Sequence, residues 1–340
     1  MKTRIIGWDV GGANVKAARL EGDALPAIVE RPFALWREPT RLGEVLREVG
    51  AALGGAPRMA VTMTAELADC FATKHEGVAS VLDAFAAAFP EVTLDVFGTD
   101  GRFHAAEEAR RRALTVASAN WMATAALVAG QWPDAILIDV GSTTTDIIPI
   151  VSGRVVARGR TDPGRLRSGE LIYTGLLRTP LCAVVRFVPL KGRRCRVAAE
   201  HFAIAADAHL WLGRIDAAEY SCETPDGRGR SREEAASRLA RIVCADTEMI
   251  GDAGVTAIAQ HVVAAQTRQI ASGIRQVLRR LGAAAPRTAV IAGSGTVLAR
   301  AAAEKPGLAI DALDSRLGTA GARAAPAAAV AHLLARELEQ

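Results

Sequence analysis

Ala135-Ile136-Leu137-Ile138-Asp139-Val140-Gly141-Ser142-Thr143-Thr144-Thr145-Asp146 repeats a pattern set at the start of the chain, where Arg4-Ile5-Ile6-Gly7-Trp8 runs into Asp9-Val10-Gly11-Gly12. In both copies an apolar run reaches an aspartate, crosses a glycine turn and enters a second apolar run, Val15 to Leu20 or Asp146 to Val151. Each copy reads as two strands joined by a tight hairpin. A carboxylate at a strand end, followed at once by small residues, suits phosphate. Glycine lets backbone N–H groups come close to the oxygens, while the carboxylate, directly or through water, holds a magnesium ion that offsets their charge. Two matched hairpins imply two related domains, each offering one turn to a shared cleft.

Working outward, Arg41 to Leu53 and Gly77 to Phe89 carry helical spacing, and Met59 to Met63 lies between them as an apolar strand. Asn120 to Gly130 reads as the helix that precedes the second hairpin. Later come helices over Ser231 to Cys244 and Val255 to Leu281, and a strand over Thr288 to Ala292 that ends on Gly293-Ser294-Gly295. A helix over Thr296 to Ala303 and an amphipathic C-terminal helix over Ala327 to Leu338 complete the reading. Alternating strands and helices favour an α/β sheet. The expected layout is a first domain over residues 1–117, onto which a helix from about 312 to 340 packs back, and a second over 118–311. The second carries a substrate insertion at about 152–230 and the glycine-rich late loop.

The carboxylates expected to act in catalysis and hold metal are Asp9 and Asp139. Gly11, Gly12 and Asn14 in the first turn, and Gly141, Ser142, Thr143, Thr144, Thr145 and Asp146 in the second, are the candidate phosphate contacts. The threonines are also good strand material. Lys16 is the candidate point charge for an anionic leaving group, with an exposed strand lysine as the plainer reading. Gly293, Ser294 and Gly295 end a strand and open a helix, so their N–H groups can face a nucleotide or diphosphate.

At 340 residues, 50% hydrophobic and 23% charged, the chain can bury a large core. A net charge of +4 is compatible with an anionic small substrate. The run Lys191, Arg193, Arg194 and Arg196 lacks an aromatic platform and reads as a solvated loop, so no nucleic-acid partner is expected. Five cysteines without a CxxC pair suggest neither disulfides nor zinc, which fits a reduced cytoplasmic setting. No stretch reads as membrane-spanning and no leader is expected. A homodimer is left open.

The order of hairpin, hairpin and late strand–glycine–helix resembles the actin/Hsp70/sugar-kinase (ASKHA) superfamily. That resemblance implies an α/β fold of two ribonuclease H-like domains with a ligand cleft between them. Asp139 to Asp146 resembles the second phosphate loop of the hydantoinase A/oxoprolinase family, from which Ala13, Val15 and Lys16 depart. The opening Gly7 to Ala18 is closer to the tetrahydromethanopterin-linked C1-transfer family, the aminomethylfuran-ether synthases of methanofuran and methylofuran biosynthesis. Glu66-Leu67-Ala68-Asp69, Lys74-His75-Glu76-Gly77-Val78, Ser118-Ala119-Asn120-Trp121, Gly159-Arg160-Thr161-Asp162, Glu170 to Gly175 and Arg178-Thr179-Pro180 extend the match.

This resemblance implies a transferase. An aminomethylfuran-methyl diphosphate loses diphosphate with magnesium present, and the phenol oxygen of tyrosine, tyramine or glutamyl-tyramine takes its place. Glu66, Lys74, Asn120, Trp121 and Arg178 are candidate substrate contacts, with Glu66 and Asp69 expected on one helical face and Trp121 more often a core residue than a substrate platform. The competing readings are an ATP-dependent kinase or hydantoinase-like hydrolase, which would require nucleotide turnover, and a nucleotide-sensing scaffold without catalysis. Whether ATP binds is left open.

Overall fold

The opening apolar run forms strand β1 (Arg4–Val10), which turns through residues 11–13 into β2 (Asn14–Glu21). They pair antiparallel with Asp9 opposite Lys16, and β2 continues into β3 (Ala27–Pro32). On its other edge β1 lies parallel to β4 (Arg58–Met63), which in turn lies parallel to β5 (Thr93–Phe97), and β6 (Phe103–Ala105) closes the edge antiparallel. The sheet order is therefore β3-β2-β1-β4-β5-β6. The second sheet uses β7 (Ala135–Val140), β8 (Thr145–Val151), β9 (Arg154–Val155), β10 (Leu171–Ile172), β13 (Thr288–Ala292) and β14 (Ala309–Ala312). Its order is β10-β8-β7-β13-β14, with β9 on β8, and β11 (Phe187–Leu190) and β12 (Arg193–Arg196) make a separate ribbon. Each D-V-G hairpin thus starts at the middle strand of a five-strand arrangement with the same order, which is the repeat read from the sequence.

The computed structural model describes residues 4–22 and 24–340. Contacts divide the chain into two units: Met1–Leu137 with Ile148–Arg165 and Asp311–Gln340, and Ile138–Ile147 with Leu166–Ile310. In the first unit the core gathers β1, β4 and the helices Leu42–Ala52 and Lys74–Ala88, with Trp8 packed edge-on against Phe85 at 5.5 Å and tilted against Phe89 at 5.8 Å. The helices Asn120–Ala129 and Ala325–Glu339 pack on each other, and the latter also covers β1, β2 and β4. A side chain at Gly7 would strike the Ala327 carbonyl and the backbone of Ala331, so only glycine lets this alanine-rich helix come so close.

The helix expected from Gly77 begins at Lys74 instead. Thr73 caps it by accepting from the Glu76 N–H, while the Glu76 carboxylate accepts from the Ala72 N–H. Gly77 is internal because a Cβ there would lie 2.5 Å from the Glu66 backbone. The helix expected from Val255 starts at Thr247 behind an Asp246 cap and bends at Gly251, whose φ is 63°. No helix among the described residues is long and apolar enough to cross a membrane.

Candidate functional site

The two D-V-G turns are closed by the same hydrogen bond. The Gly11 N–H donates to the Asn14 carbonyl and the Gly141 N–H to the Thr144 carbonyl, each at 2.9 Å. Those two amides are therefore spent within the turns, and the tips are Gly12-Ala13 and Ser142-Thr143. Each tip has a backing segment that takes its carbonyls. Leu35 and Phe33 donate to the carbonyls of Gly12 and Ala13, while Leu176 donates to Gly141 and Leu177 and Arg178 donate to Ser142. In a planar trans peptide the N–H points opposite to the C=O. The amides of Ala13, Ser142 and Thr143 consequently aim away from the backing segments, as donors to an oxyanion must.

The second turn is the more closely built. A Cβ on Gly175 would sit 2.6 Å from the Thr143 nitrogen and 2.7 Å from the Gly141 carbonyl oxygen, so the string ending at Gly175 is a close backbone support for this turn. The late loop meets it from β13. The Gly295 N–H donates to the Val140 carbonyl at 2.8 Å. A Cβ on Gly293 (φ 85°) would collide with the Asp139 carboxylate, and one on Gly295 with the Val140 side chain. Asp139, Gly141, Ser142, Thr143 and Gly293 to Gly295 are thereby brought together. The hydroxyls of Ser142 and Thr143 lie 3.4 Å apart.

Thr145 and Asp146 stand deeper. The Thr145 hydroxyl is fully buried and donates to the Thr174 carbonyl at 2.7 Å, and Asp146 is buried in β8 opposite Leu171. Arg178 is half-buried beside Cys222. Burial pushes that thiol up to about 11 against the opposing charges of Arg178 and Arg230. Behind Gly175, the Gln266 amide donates to the Thr174 hydroxyl and the Gly175 carbonyl at 3.0 and 2.9 Å, and its oxygen meets His209 at 3.2 Å. Burial depresses the His209 imidazole to about 4, so it is neutral here.

In the first unit Asp9 ends β1, and Thr64 donates from its N–H to the Val10 carbonyl at 2.9 Å. Lys16 reaches the Arg323 carbonyl at 2.8 Å and Glu30 at 3.3 Å. Beyond Thr64 the chain makes one 3-10 turn and leaves it extended at Ala68. Glu66 is therefore buried while Asp69 is exposed, and the single helical face expected for the two carboxylates does not form.

Glu66 instead enters a charged cluster. Lys74 Nζ lies 2.9 Å from both Ser118 Oγ and Asp162 Oδ2, and Ser118 Oγ lies 2.7 Å from Glu66 Oε1 and 2.8 Å from Asp162 Oδ2. A hydroxyl has one proton to donate. With Lys74 already donating to it, Ser118 can hydrogen-bond both carboxylates only if one of them carries a proton and donates in return. Burial favours Glu66 for that role: desolvation raises its pKa above the ordinary carboxylate value against the opposing charge of Lys74 at 3.5 Å, whereas Asp162 is partly exposed and also faces Arg165. Arg165 stacks over the buried Trp121 at 4.6 Å, and Asn120 accepts from the Trp121 N–H. Ser118 and Asp162 lay inside the strings quoted for the resemblance, as did Gly175, and each could have been nominated from there; Thr64, His209 and Gln266 carried no such signal.

Among the described residues no group of three or more His, Cys, Asp or Glu side chains is arranged to hold a metal. The sequence profile of the hydantoinase/oxoprolinase family matches residues 58–337. A protein of Methanocaldococcus jannaschii named (4-{4-[2-(gamma-L-glutamylamino)ethyl]phenoxymethyl}furan-2-yl)methanamine synthase is 36% identical over 341 residues, 100% of both chains. The chain belongs to the hydantoinase/oxoprolinase family, on the branch of these furan-methanamine synthases. That branch is the one the opening strings resemble. A protein of the same name from Methanococcus vannielii is 44% identical over 115 residues, 34% of this chain and 51% of its own length. The solved structure of nucleotide-free acetone carboxylase overlays with a TM-score of 0.58 and 10% identity, covering 96% of this chain and 70% of that one. Likeness at that identity speaks for the fold alone, and the fold is the ASKHA-type α/β one that the order of motifs implied.

Proposed function

We propose that the protein is a transferase of methanofuran or methylofuran biosynthesis that joins a phenol to an aminomethylfuran-methyl diphosphate. The phenol oxygen of tyrosine, tyramine or glutamyl-tyramine forms the new C–O bond to the furfuryl carbon. The bond from that carbon to diphosphate breaks, its electron pair leaves with the diphosphate, and the phenol proton passes to a base. The observation that carries this reading is the full-length match to a relative whose name describes a phenoxymethyl link to a furan methanamine.

The turns are suited to the leaving group. Ser142 and Thr143 offer amides and hydroxyls where negative charge develops, held in place by Gly175 to Arg178, and such fixed donors stabilise a departing oxyanion without reorganising. The glycine cradle of Gly293 against the Asp139 carboxylate keeps side chains away from that group, which fits a hydrated cation there. Asp139 would hold magnesium, directly or through water, and the ion would supply charge neutralisation of the diphosphate; Asp9, at the matching strand end of the first unit, is proposed as a metal ligand on the same chemistry. Lys16 is proposed to add a positive charge for the leaving group.

The test is to incubate the full chain with the furan diphosphate, magnesium and each phenol, and to search for the ether and for inorganic diphosphate by mass and coupled assay. The expected result is ether with at least one phenol, and a fall of orders of magnitude in turnover for Asp9→Asn and Asp139→Asn. No ether with any of the phenols, together with ATP hydrolysis stimulated by a phenol, would overturn the reading in favour of a kinase or hydrolase.

A further inference from the structure

A cavity of about 580 Å³ opens between the β11–β12 ribbon and the helix Thr247–Leu281. Its ribbon side is a hairpin whose two tip residues, Lys191 and Gly192, have φ of 48° and 73°, as a two-residue turn of this hand requires. Its helix side is the stripe His261, Ala265 and Arg268, spaced along one face. Valines 184, 185 and 188, with Pro189, give it an apolar lining, and Arg186, Arg193, Arg194 and Arg268 supply cationic groups. None of the residues lining it is acidic, and among the described residues none of these four arginines is in an ion pair. Many other arginines of the chain are paired, such as Arg58 with Asp95 at 2.7 Å and Arg238 with Asp207 at 2.8 Å. Four arginines in the lining of one concavity, with no acidic residue among its lining, give it a positive field.

We propose that this cavity is a binding site for an organic polyanion of metabolite size, one carrying two or more carboxylate or phosphate groups on an apolar body. The volume is that of a small-molecule site, and guanidinium forks match both oxyanions with paired hydrogen bonds. The apolar lining fits the body of such a ligand. A nucleic acid is disfavoured because Phe187, the one Phe, Tyr or Trp in the lining, is already covered on one face by Arg194 at 3.7 Å, which closes that face to a base. The site bears on the second turn through a shared helix: Ala265 lines the cavity, and its neighbour Gln266 holds the Gly175 carbonyl behind Ser142 and Thr143. The inference does not depend on the ether-forming reaction.

The test uses the full chain and two probes, benzene-1,3,5-tricarboxylate for the carboxylate source and 1,4-phenylene bisphosphate for the phosphate source, by calorimetry at several salt concentrations. One or both should bind one to one, more weakly as salt rises, and the bound form should protect backbone amides of residues 184–194 and 261–268 from hydrogen exchange. Arg193→Gln with Arg268→Gln should weaken binding about tenfold or more, or roughly 1.4 kcal/mol, without lowering the thermal midpoint, since both side chains are exposed. Asp139→Asn should bind the same probe unchanged. The proposal fails if neither probe binds, if the double variant binds as well as the parent, or if only oligothymidylate binds with affinity that grows with its length.

Discussion

Replacing Gly175 by alanine is the sharpest perturbation of the second turn, because the new methyl carbon would have nowhere to go. It would lie 2.6 Å from the Thr143 nitrogen, 2.7 Å from the Gly141 carbonyl oxygen and 2.7 Å from the Ser142 carbonyl carbon, whereas ordinary contact begins at 3.4 Å. All three atoms are backbone, so no side chain can rotate aside, and the turn must retreat by roughly 0.8 Å. Overpacking of this kind costs about 1–3 kcal/mol, a loss of about 2–4 °C in thermal midpoint per kcal/mol for a unit of this size. A misplacement approaching 1 Å at a reacting group costs up to about 100-fold in rate. We expect kcat/KM for the furan diphosphate to fall about tenfold to 100-fold, with the thermal midpoint lowered by several degrees. Gly43→Ala is the control, since its Cβ would meet only ordinary contacts of 3.6 Å and longer in a helix; it should keep full activity and gain up to about 1 kcal/mol of stability. A Gly175→Ala protein that is measurably less stable yet fully active, with unchanged diphosphate affinity, would refute the assignment of this turn to the diphosphate.

Glu66→Gln should flatten the dependence of stability on pH. A carboxyl held above its unfolded value stabilises the fold fully below that value, about 4.3, and loses this contribution as pH rises through the folded value; an unchanged slope of unfolding free energy above pH 4.5 would contradict the protonated Glu66. Arg238→Met strands the fully buried Asp207 carboxylate, which also accepts from the Tyr220 hydroxyl and the Ile204 N–H, and should cost about 3–5 kcal/mol, seen as a lower thermal midpoint. Lys16→Met should reduce turnover, while loss of its partly exposed pair with Glu30 changes stability by at most about 1 kcal/mol. Full activity at saturating substrate would assign Lys16 to Glu30 and Arg323 alone.

The strands that carry the motifs were legible because each is an uninterrupted apolar run with a glycine stop: β1, β7 and β13 have the bounds read for them. Strands with polar or charged faces were not. β3, Ala27-Ile28-Val29-Glu30-Arg31-Pro32, ends on charge and proline, and β5 and β10 to β12 are too short for alternation to rise above chance. The start of the helix at Lys74 was missed because Gly77 reads as a boundary in sequence, whereas its reason is steric and lies at Glu66. At the site, the turns and the late loop were legible from local chemistry. The charged cluster was legible only as separate strings, since no spacing in the sequence says that Ser118 and Asp162 meet Glu66 and Lys74. The same holds for the arginines of the ribbon, whose run reads as an ordinary solvated loop until Arg268 arrives from a distant helix.

The helix Ala325–Glu339 lies against β1, and Gly7 is the notch that admits it. On the ribosome these two partners are made far apart in time. β1 emerges early, but its cover follows about three hundred residues later, at synthesis rates of about 5–20 residues per second. Through that interval the face of β1 that carries Ile5 and Gly7 has no helix to rest on, although Ile6 and Trp8 on the opposite face are covered by the earlier helices Leu42–Ala52 and Lys74–Ala88, while Leu166 to Ile310, the larger segment of the second unit, is already complete. The nascent first unit is therefore the vulnerable partner during translation, and a ribosome that stalls shortly before residue 325 would leave a chain in which one face of β1 is still open to chaperones and to its own neighbours.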